Sequence, residues 1–309
     1  MIFFKQLRLN IKTHGWPLCI LLVTVMLAAC DQPEKIAPVS FLLPDAEDMQ
    51  KRGQLPSGSL LDEIKQRGKL TVLTTNLPST YYYDRNDKLA GPEYDMTKSF
   101  AESLQVEVEY KVYDSTKAVI DALRKNQGDI AAAGLTVNDV RKSEFDFGPV
   151  YQTTNEYLVC HRSKKNIKNK DELKGLEIIV AAESSYIESI KSYSEMSWTE
   201  SQDFNTEDLL AQVAEKKIEC TISDSTLYML ERRYHTEIQK KYVFAEGSEL
   251  AWMINKNNDR LKRAISDWFE KYQDDYELAH VMEKYYGYVE TFDYVDTHRF
   301  LDRVQTRLP

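Results

Sequence analysis

Positive charge, histidine and cysteine are all scarce in this chain, and each scarcity removes a class of function. The 309 residues carry 40 Lys and Arg against 49 Asp and Glu, a formal net charge of −9. Nucleic-acid binding needs clustered Lys and Arg to displace counterions from phosphate, so no nucleic-acid partner is expected. Beyond the first thirty residues the histidines are His161, His235, His280 and His298, far apart and without metal-ligand spacing. Neither a metal nor another cofactor is expected. A Ser-His-Asp order, a P-loop and a dinucleotide fingerprint are also missing, so no catalytic residue is assigned. Of the four cysteines, Cys19 and Cys30 lie near the N-terminus, which leaves Cys160 and Cys220 in apolar runs that read as strands. Two buried thiols are the favoured reading, and a bridge is the alternative. What is plentiful is ordinary core material. A hydrophobic fraction of 42% with 29% charged residues suits a folded protein, and the length suits about two domains at roughly 150 residues each.

The N-terminus reads as an export signal. Lys5, Arg8 and Lys12 precede a short apolar stretch from Pro17 to Leu27, below the roughly 20 residues a spanning helix needs. Its end, Leu27-Ala28-Ala29-Cys30, resembles a bacterial lipoprotein signal, in which the cysteine becomes the acylated N-terminus. Cys30 is therefore the expected lipidation site, and through it the membrane is an expected partner. Asp31 beside it resembles an inner-membrane retention signal of some bacteria; the choice between inner and outer membrane stays open. Residues 30–58 carry Pro33, Pro38, Pro44 and Pro56 without a sustained period and read as a tether.

After the tether, strands and helices alternate. The spacing predicts a helix over 60–67 ended by Gly68, a strand over 69–74, a helix over 95–104 and a strand over 106–112. A helix over 116–126 and a strand over 129–133 complete the first half. The second half repeats the theme, with strands at 157–160, 177–181 and 219–222 and helices near 186–193 and 207–215. Such alternation predicts an α/β fold of mainly parallel sheets with flanking helices, arranged as two lobes. Ligands in open parallel sheets sit beyond the carboxyl ends of strands, which puts the binding cleft between the lobes.

The most informative stretch is Gly134-Leu135-Thr136-Val137-Asn138-Asp139-Val140-Arg141, followed by Phe145-Asp146-Phe147-Gly148-Pro149-Val150-Tyr151. A strand exit here presents a hydroxyl and a guanidinium close together, and Arg is the side chain best shaped to hold a carboxylate bidentately. The plain alternative is a surface Arg near a helix end. In the second half, Ser184-Ser185 opens a helix whose orphan N–H groups could receive an anion. Asp224 follows a strand and suits either a helix cap or a ligand contact.

These segments resemble the extracellular solute-binding proteins of the polar amino acid type. Gly134, Thr136 and Arg141 match that family's Gly-x-Thr-x-Thr-x-x-Arg signature, and Gly68–Val72, Gly91–Met96 and Gly128–Ile130 resemble its other segments. The likeness covers roughly residues 60–287 and implies a two-lobed periplasmic-binding-protein-like fold. It implies that Thr136 and Arg141 hold a ligand carboxylate, with Asn138 where a second Thr is usual. Ser185 falls at a carboxylate-binding Thr, Asp224 at the acid that pairs with a ligand ammonium, and Tyr82 in the loop that carries a stacking aromatic. The implied layout is a signal peptide over 1–29, a tether over 30–58, one lobe over 59–155 plus 246–287 and a second over 156–245.

Residues 288–309 narrow the resemblance. Glu283-Lys284-Tyr285-Tyr286-Gly287, followed by Phe292-Asp293-Tyr294-Val295-Asp296-Thr297, resembles the junction in the membrane-bound lytic murein transglycosylase F family, where a solute-binding-like module precedes a lysozyme-like domain. The resemblance implies a noncatalytic, lipid-anchored envelope module on the periplasmic side, which binds a small amino acid or muropeptide and works with a cell-wall enzyme. One alternative is an amino-acid receptor serving an ABC permease. Another is an active peptidoglycan lytic transglycosylase. One local match to a Glu-Ser-x-aromatic pattern is Glu183-Ser184-Ser185-Tyr186. It follows a strand and lacks the apolar surroundings that raise a general acid's pKa.

Overall fold

The computed structural model describes residues 58–193 and 196–287. The expected signal peptide, the lipidation site Cys30, nearly all of the tether and the 288–309 junction lie outside the described residues. Helix α1 (Leu60–Arg67) begins with a reciprocal capping box between Ser59 and Asp62 and ends at Gly68, whose φ of +67° supplies the left-handed cap. Strand β1 (Lys69–Thr75) follows, then the short β2 (Tyr82–Tyr83) and β3 (Leu89–Ala90), which pair with each other. Next come α2 (Pro92–Leu104), β4 (Glu107–Tyr113), α3 (Thr116–Arg124), β5 (Ile130–Ala131) and α4 (Asp139–Glu144).

The next strand, β6, runs for 17 residues from Phe145 to His161. It leads into β7 (Glu177–Ala181), α5 (Tyr186–Lys191), β8 (Ser197–Ser201), α6 (Thr206–Ala214), β9 (Cys220–Asp224) and α7 (Ser225–Glu231). The chain then returns along β10 (Ile238–Asn255) to α8 (Asp259–Asp274), α9 (Glu277–Met282) and a π-helical turn, Glu283–Gly287.

The main sheet has the order β4-β1-β5-β10-β6-β9-β7-β8. At one end β1 is parallel to β4 and β5, and at the other β7 is parallel to β8 and β9. These are the mainly parallel sheets of a two-lobed α/β fold. Sequence periodicity did not reveal the element that joins them. Strands β6 and β10 form an antiparallel ribbon from Phe145 opposite Asn255 to His161 opposite Ile238, with several register shifts along it. The first parallel set joins the ribbon through Met253, the second through Glu156–Cys160. Register shifts bend and twist a ribbon locally, which suits a connection between two lobes.

Each lobe has its own core. In the first, Trp252, Phe100, Trp268 and Phe269 pack with ring centroids 4.7–5.8 Å apart. In the second, Leu158, Ile178, Ile190 and Ile222 are fully buried or nearly so. Cys160 and Cys220 lie in that second core and form a disulfide. This corrects the favoured reading of two free thiols. The two residues are direct partners in the β6–β9 register, with Cα atoms 4.3 Å apart, a juxtaposition that strand prediction alone cannot provide. Among the described residues, no helix is long and apolar enough to cross a membrane, and no group of three His, Cys, Asp or Glu could hold a metal ion.

Candidate ligand-binding site

The chain leaves β5 through Gly134, whose φ of +61° favours glycine, and Gly134 N–H donates to Glu93 Oε1 at 3.0 Å. The next residues bridge to β10, with Thr136 opposite Leu250. Asn138 then caps α4, its Oδ1 accepting the Arg141 N–H at 2.9 Å, and this turns the Arg141 side chain back towards the strand exit. The Arg141 guanidinium donates to the Thr136 carbonyl at 2.9 Å and to the Glu183 carbonyl of the second lobe at 3.1 Å. Arg141 is 7% exposed, and among the described residues it forms no ion pair with a carboxylate. Burial pulls its pKa below the usual arginine value, with Tyr186 and the carboxylates of Glu188, Glu183 and Glu156 opposing that pull. A buried guanidinium held only by carbonyl oxygens is a standing demand for an anion.

The second lobe meets this group through the turn after β7. Glu183 adopts a left-handed backbone, φ +57°, and its carboxylate pairs with Lys117 of the first lobe at 3.1 Å. Ser185 is buried and donates from Oγ to Thr136 Oγ1 at 3.1 Å. Ser184 Oγ is buried without a hydrogen-bond partner among the described residues, and the residue lines the same cavity. Helix α5 has only six residues, so its dipole adds little; the hydroxyls are the polar groups offered here.

Asp224 lies at the end of β9. Its Oδ1 accepts the Leu227 N–H at 2.9 Å as the cap of α7, and Oδ2 accepts the Tyr186 hydroxyl at 3.2 Å. The helix cap expected from sequence is therefore present, and the carboxylate keeps lone pairs beyond those two contacts. Burial raises its pKa, against hydrogen bonds that lower it.

Thr136, Arg141, Ser185 and Asp224 line one cavity of about 90 Å³ between the lobes, well above the roughly 10–15 Å³ that one water requires. The seam is open inside. Asn138 and Tyr82 are not among its lining residues. Asn138 is committed to the α4 cap, and Tyr82 sits on the β2–β3 hairpin, where burial raises its pKa. Of the neighbouring tyrosines, Tyr81 is core, packed against Tyr94 and Tyr110. The aromatic side chains that line the cavity are instead Tyr151, Tyr186, Phe204 and Tyr286. Gln152 joins them, donating to Thr226 Oγ1 at 3.0 Å. Tyr151 was visible only as part of the motif after Arg141, and Tyr286 only as part of the C-terminal segment. Nothing in their spacing placed either in the site.

Beneath the cavity lies a buried acid. Glu93 accepts hydrogen bonds from Gly134 N–H, the Tyr151 hydroxyl and Trp252 Nε1, the last at 2.6 Å. Burial raises its pKa against all three donors.

The family model of bacterial extracellular solute-binding proteins, family 3, matches residues 69–288. The chain belongs to that family. It is 32% identical over 257 residues to membrane-bound lytic murein transglycosylase F 2 of Alkalilimnicola ehrlichii, a match covering 82% of this chain and 57% of the relative. It is also 36% identical over 253 residues to membrane-bound lytic murein transglycosylase F of Erwinia tasmaniensis, with 80% and 51% covered. The chain thus spans about half the length of these relatives. Among solved structures, an amino acid ABC transporter substrate-binding protein, AbpA of Streptococcus pneumoniae bound to L-arginine, aligns with TM-score 0.67 and 19% identity, covering 74% of this chain and 98% of the other. An ancestral arginine-binding protein bound to glutamine aligns with TM-score 0.65 and 23% identity, with 72% and 99% covered. At that identity the structural likeness speaks for the fold.

Proposed function

We propose that this protein is an envelope solute-binding module of the kind that begins the transglycosylase F relatives, taking a small amino acid or cell-wall peptide between its lobes without breaking a bond. The observation that carries the reading is Arg141: a buried cation without a carboxylate partner, lining a cavity that also holds the Asp224 carboxylate. A ligand with a carboxylate at the Arg141 end and an ammonium at the Asp224 end satisfies both charges. Thr136, Ser184 and Ser185 supply hydroxyls to the anionic end. Arg141 and Ser185 already reach across to the opposite lobe, so a ligand bound there would add differential affinity for the closed arrangement. Lipid attachment at Cys30 and a tether over 30–58 complete the proposal and place the module on the periplasmic face of the envelope, beside a cell-wall enzyme.

Calorimetry with L-amino acids and stem-peptide fragments tests it. Removing one partner of a buried, hydrogen-bonded charge pair costs roughly 2–5 kcal/mol, so Arg141→Ala should weaken binding by about 30-fold or more. Equal affinity in both proteins would remove Arg141 from the site. The likeness to an ABC transporter substrate-binding protein favours a second reading, an amino-acid receptor for a permease. Tight binding of free amino acids with no binding of stem peptides would select it.

A further inference from the structure

The turn Glu283–Gly287 is fastened to one lobe while one of its side chains lines the space between both. Lys284 Nζ pairs with Asp95 Oδ2 at 2.6 Å, and the Tyr285 hydroxyl donates to the same oxygen at 2.8 Å. The Gly91 N–H donates to the Tyr285 hydroxyl at 2.9 Å, so two successive residues of the turn are tied to the start of α2. Tyr286, the next residue, is 6% exposed and lines the cavity with Tyr151, Tyr186 and Asp224. We propose that Tyr286 is a ligand-contacting, specificity-determining residue of this cavity, and that through it an occupied cavity restrains the turn Glu283–Gly287.

The inference rests on the binding role proposed above and deepens it. A carboxylate at Asp224 among tyrosine side chains favours a cationic head group, an ammonium or guanidinium, because both the charge and the aromatic quadrupoles attract it. Tyr286 and Asp224 line the same cavity; burial raises the Tyr286 pKa, and the nearby Glu93 and Asp224 carboxylates add to that rise. Its ring also limits the size of a group seated there. Since the turn is clamped through Asp95, the phenol reaches the cavity from a fixed base, and any ligand that presses on it loads the clamp. Linkage makes the coupling reciprocal: whatever loosens the turn lowers affinity by the same factor that the ligand tightens it.

The test uses the full chain with four probes: L-lysine, L-arginine, L-glutamine and the tripeptide L-alanyl-γ-D-glutamyl-meso-diaminopimelate. Calorimetry is paired with hydrogen exchange of the amides in 283–287. For the tightest probe, Tyr286→Ala should weaken binding at least tenfold and Tyr286→Phe at most threefold. Asp95→Ala, which removes the Lys284 and Tyr285 contacts to Asp95 and so loosens the turn without altering a cavity-lining residue, should weaken it at least threefold, and a saturating probe should slow exchange in 283–287. If Tyr286→Ala does not fold, the Phe and Asp95 variants and the exchange measurement carry the test. Wild-type affinity in Tyr286→Ala and Asp95→Ala with unchanged exchange overturns the inference and leaves the binding role standing. No binding of any probe to the wild type at millimolar concentration overturns the binding role and the inference together.

Discussion

Replacing both Cys160 and Cys220 by Ala should destabilise the protein far more than it weakens ligand binding. The bridge closes a loop of 60 residues, and the chain-entropy relation then assigns it about 4 kcal/mol at 25 °C. Both sulfurs are fully buried in the second lobe's core, so their loss adds roughly 1 kcal/mol each for transfer and cavity terms. With a urea slope of roughly 2–3 kcal/mol/M, the unfolding midpoint of that lobe should fall by about 2–3 M. Urea unfolding followed by tryptophan fluorescence and far-UV dichroism measures this, and thiol titration of the native protein supplies the control. Asp224 lies four residues beyond Cys220 on the same strand, yet it is held by its own contacts to Leu227 and Tyr186. Ligand affinity measured below the transition should therefore stay within about threefold of wild type, since no cavity contact changes. A midpoint shift under about 0.3 M, or two free thiols in the native wild type, would refute the reasoning, because neither is compatible with a loop closed across the β6–β9 register.

Three further outcomes follow from the same contacts. Burial, reinforced by the nearby Glu207 carboxylate, pushes the Glu231 carboxyl from 4.5 up to about 7. The folded state therefore keeps a proton that the unfolded chain releases above 4.5, so this stabilisation is complete below pH 4.5 and is lost by about pH 7. The loss is of order 3 kcal/mol, and Glu231→Gln should flatten it in a stability profile between pH 4 and 8. Asn138→Ala removes the α4 cap and should cost about 1 kcal/mol in thermal or urea unfolding, with affinity changed less than twofold; a large loss of affinity would return Asn138 to the ligand site. Trp252→Phe keeps most of the ring packing but strips Glu93 Oε2 of its indole donor, and should lower stability by roughly 1–3 kcal/mol, measured by calorimetric unfolding; an unchanged transition would show that Glu93 does not depend on that donor.

Much of the scaffold was legible because it is local. The helix of 60–67 ended by the left-handed Gly68, the strand of 177–181 and the alternation of strand and helix depend on residues a few positions apart, where side-chain period and backbone preference act directly. The Gly134–Arg141 stretch was legible for the same reason, since a strand exit that presents a hydroxyl and a guanidinium fits within eight residues, whereas the Asn138 cap and the burial of Arg141 came from the structure. The site around it was less so. Asn138 matched a ligand position by spacing, but its side chain is taken by the nearest unsatisfied N–H, a competition that sequence alone does not settle.

By itself, then, the order of amino acids determined the class of fold, and it singled out Arg141 and Asp224 as candidates, because charge and period are carried by the chain directly. The tertiary structure decided the rest. It set Cys160 against Cys220, joined the lobes by the β6–β10 ribbon, buried Glu93 under three donors and brought Tyr286 rather than Tyr82 to the cavity. Each of these joins residues far apart in sequence, 60 for the disulfide and 159 between Glu93 and Trp252. Such contacts are chosen by strand register and by which surfaces must leave water together, and no local pattern encodes either.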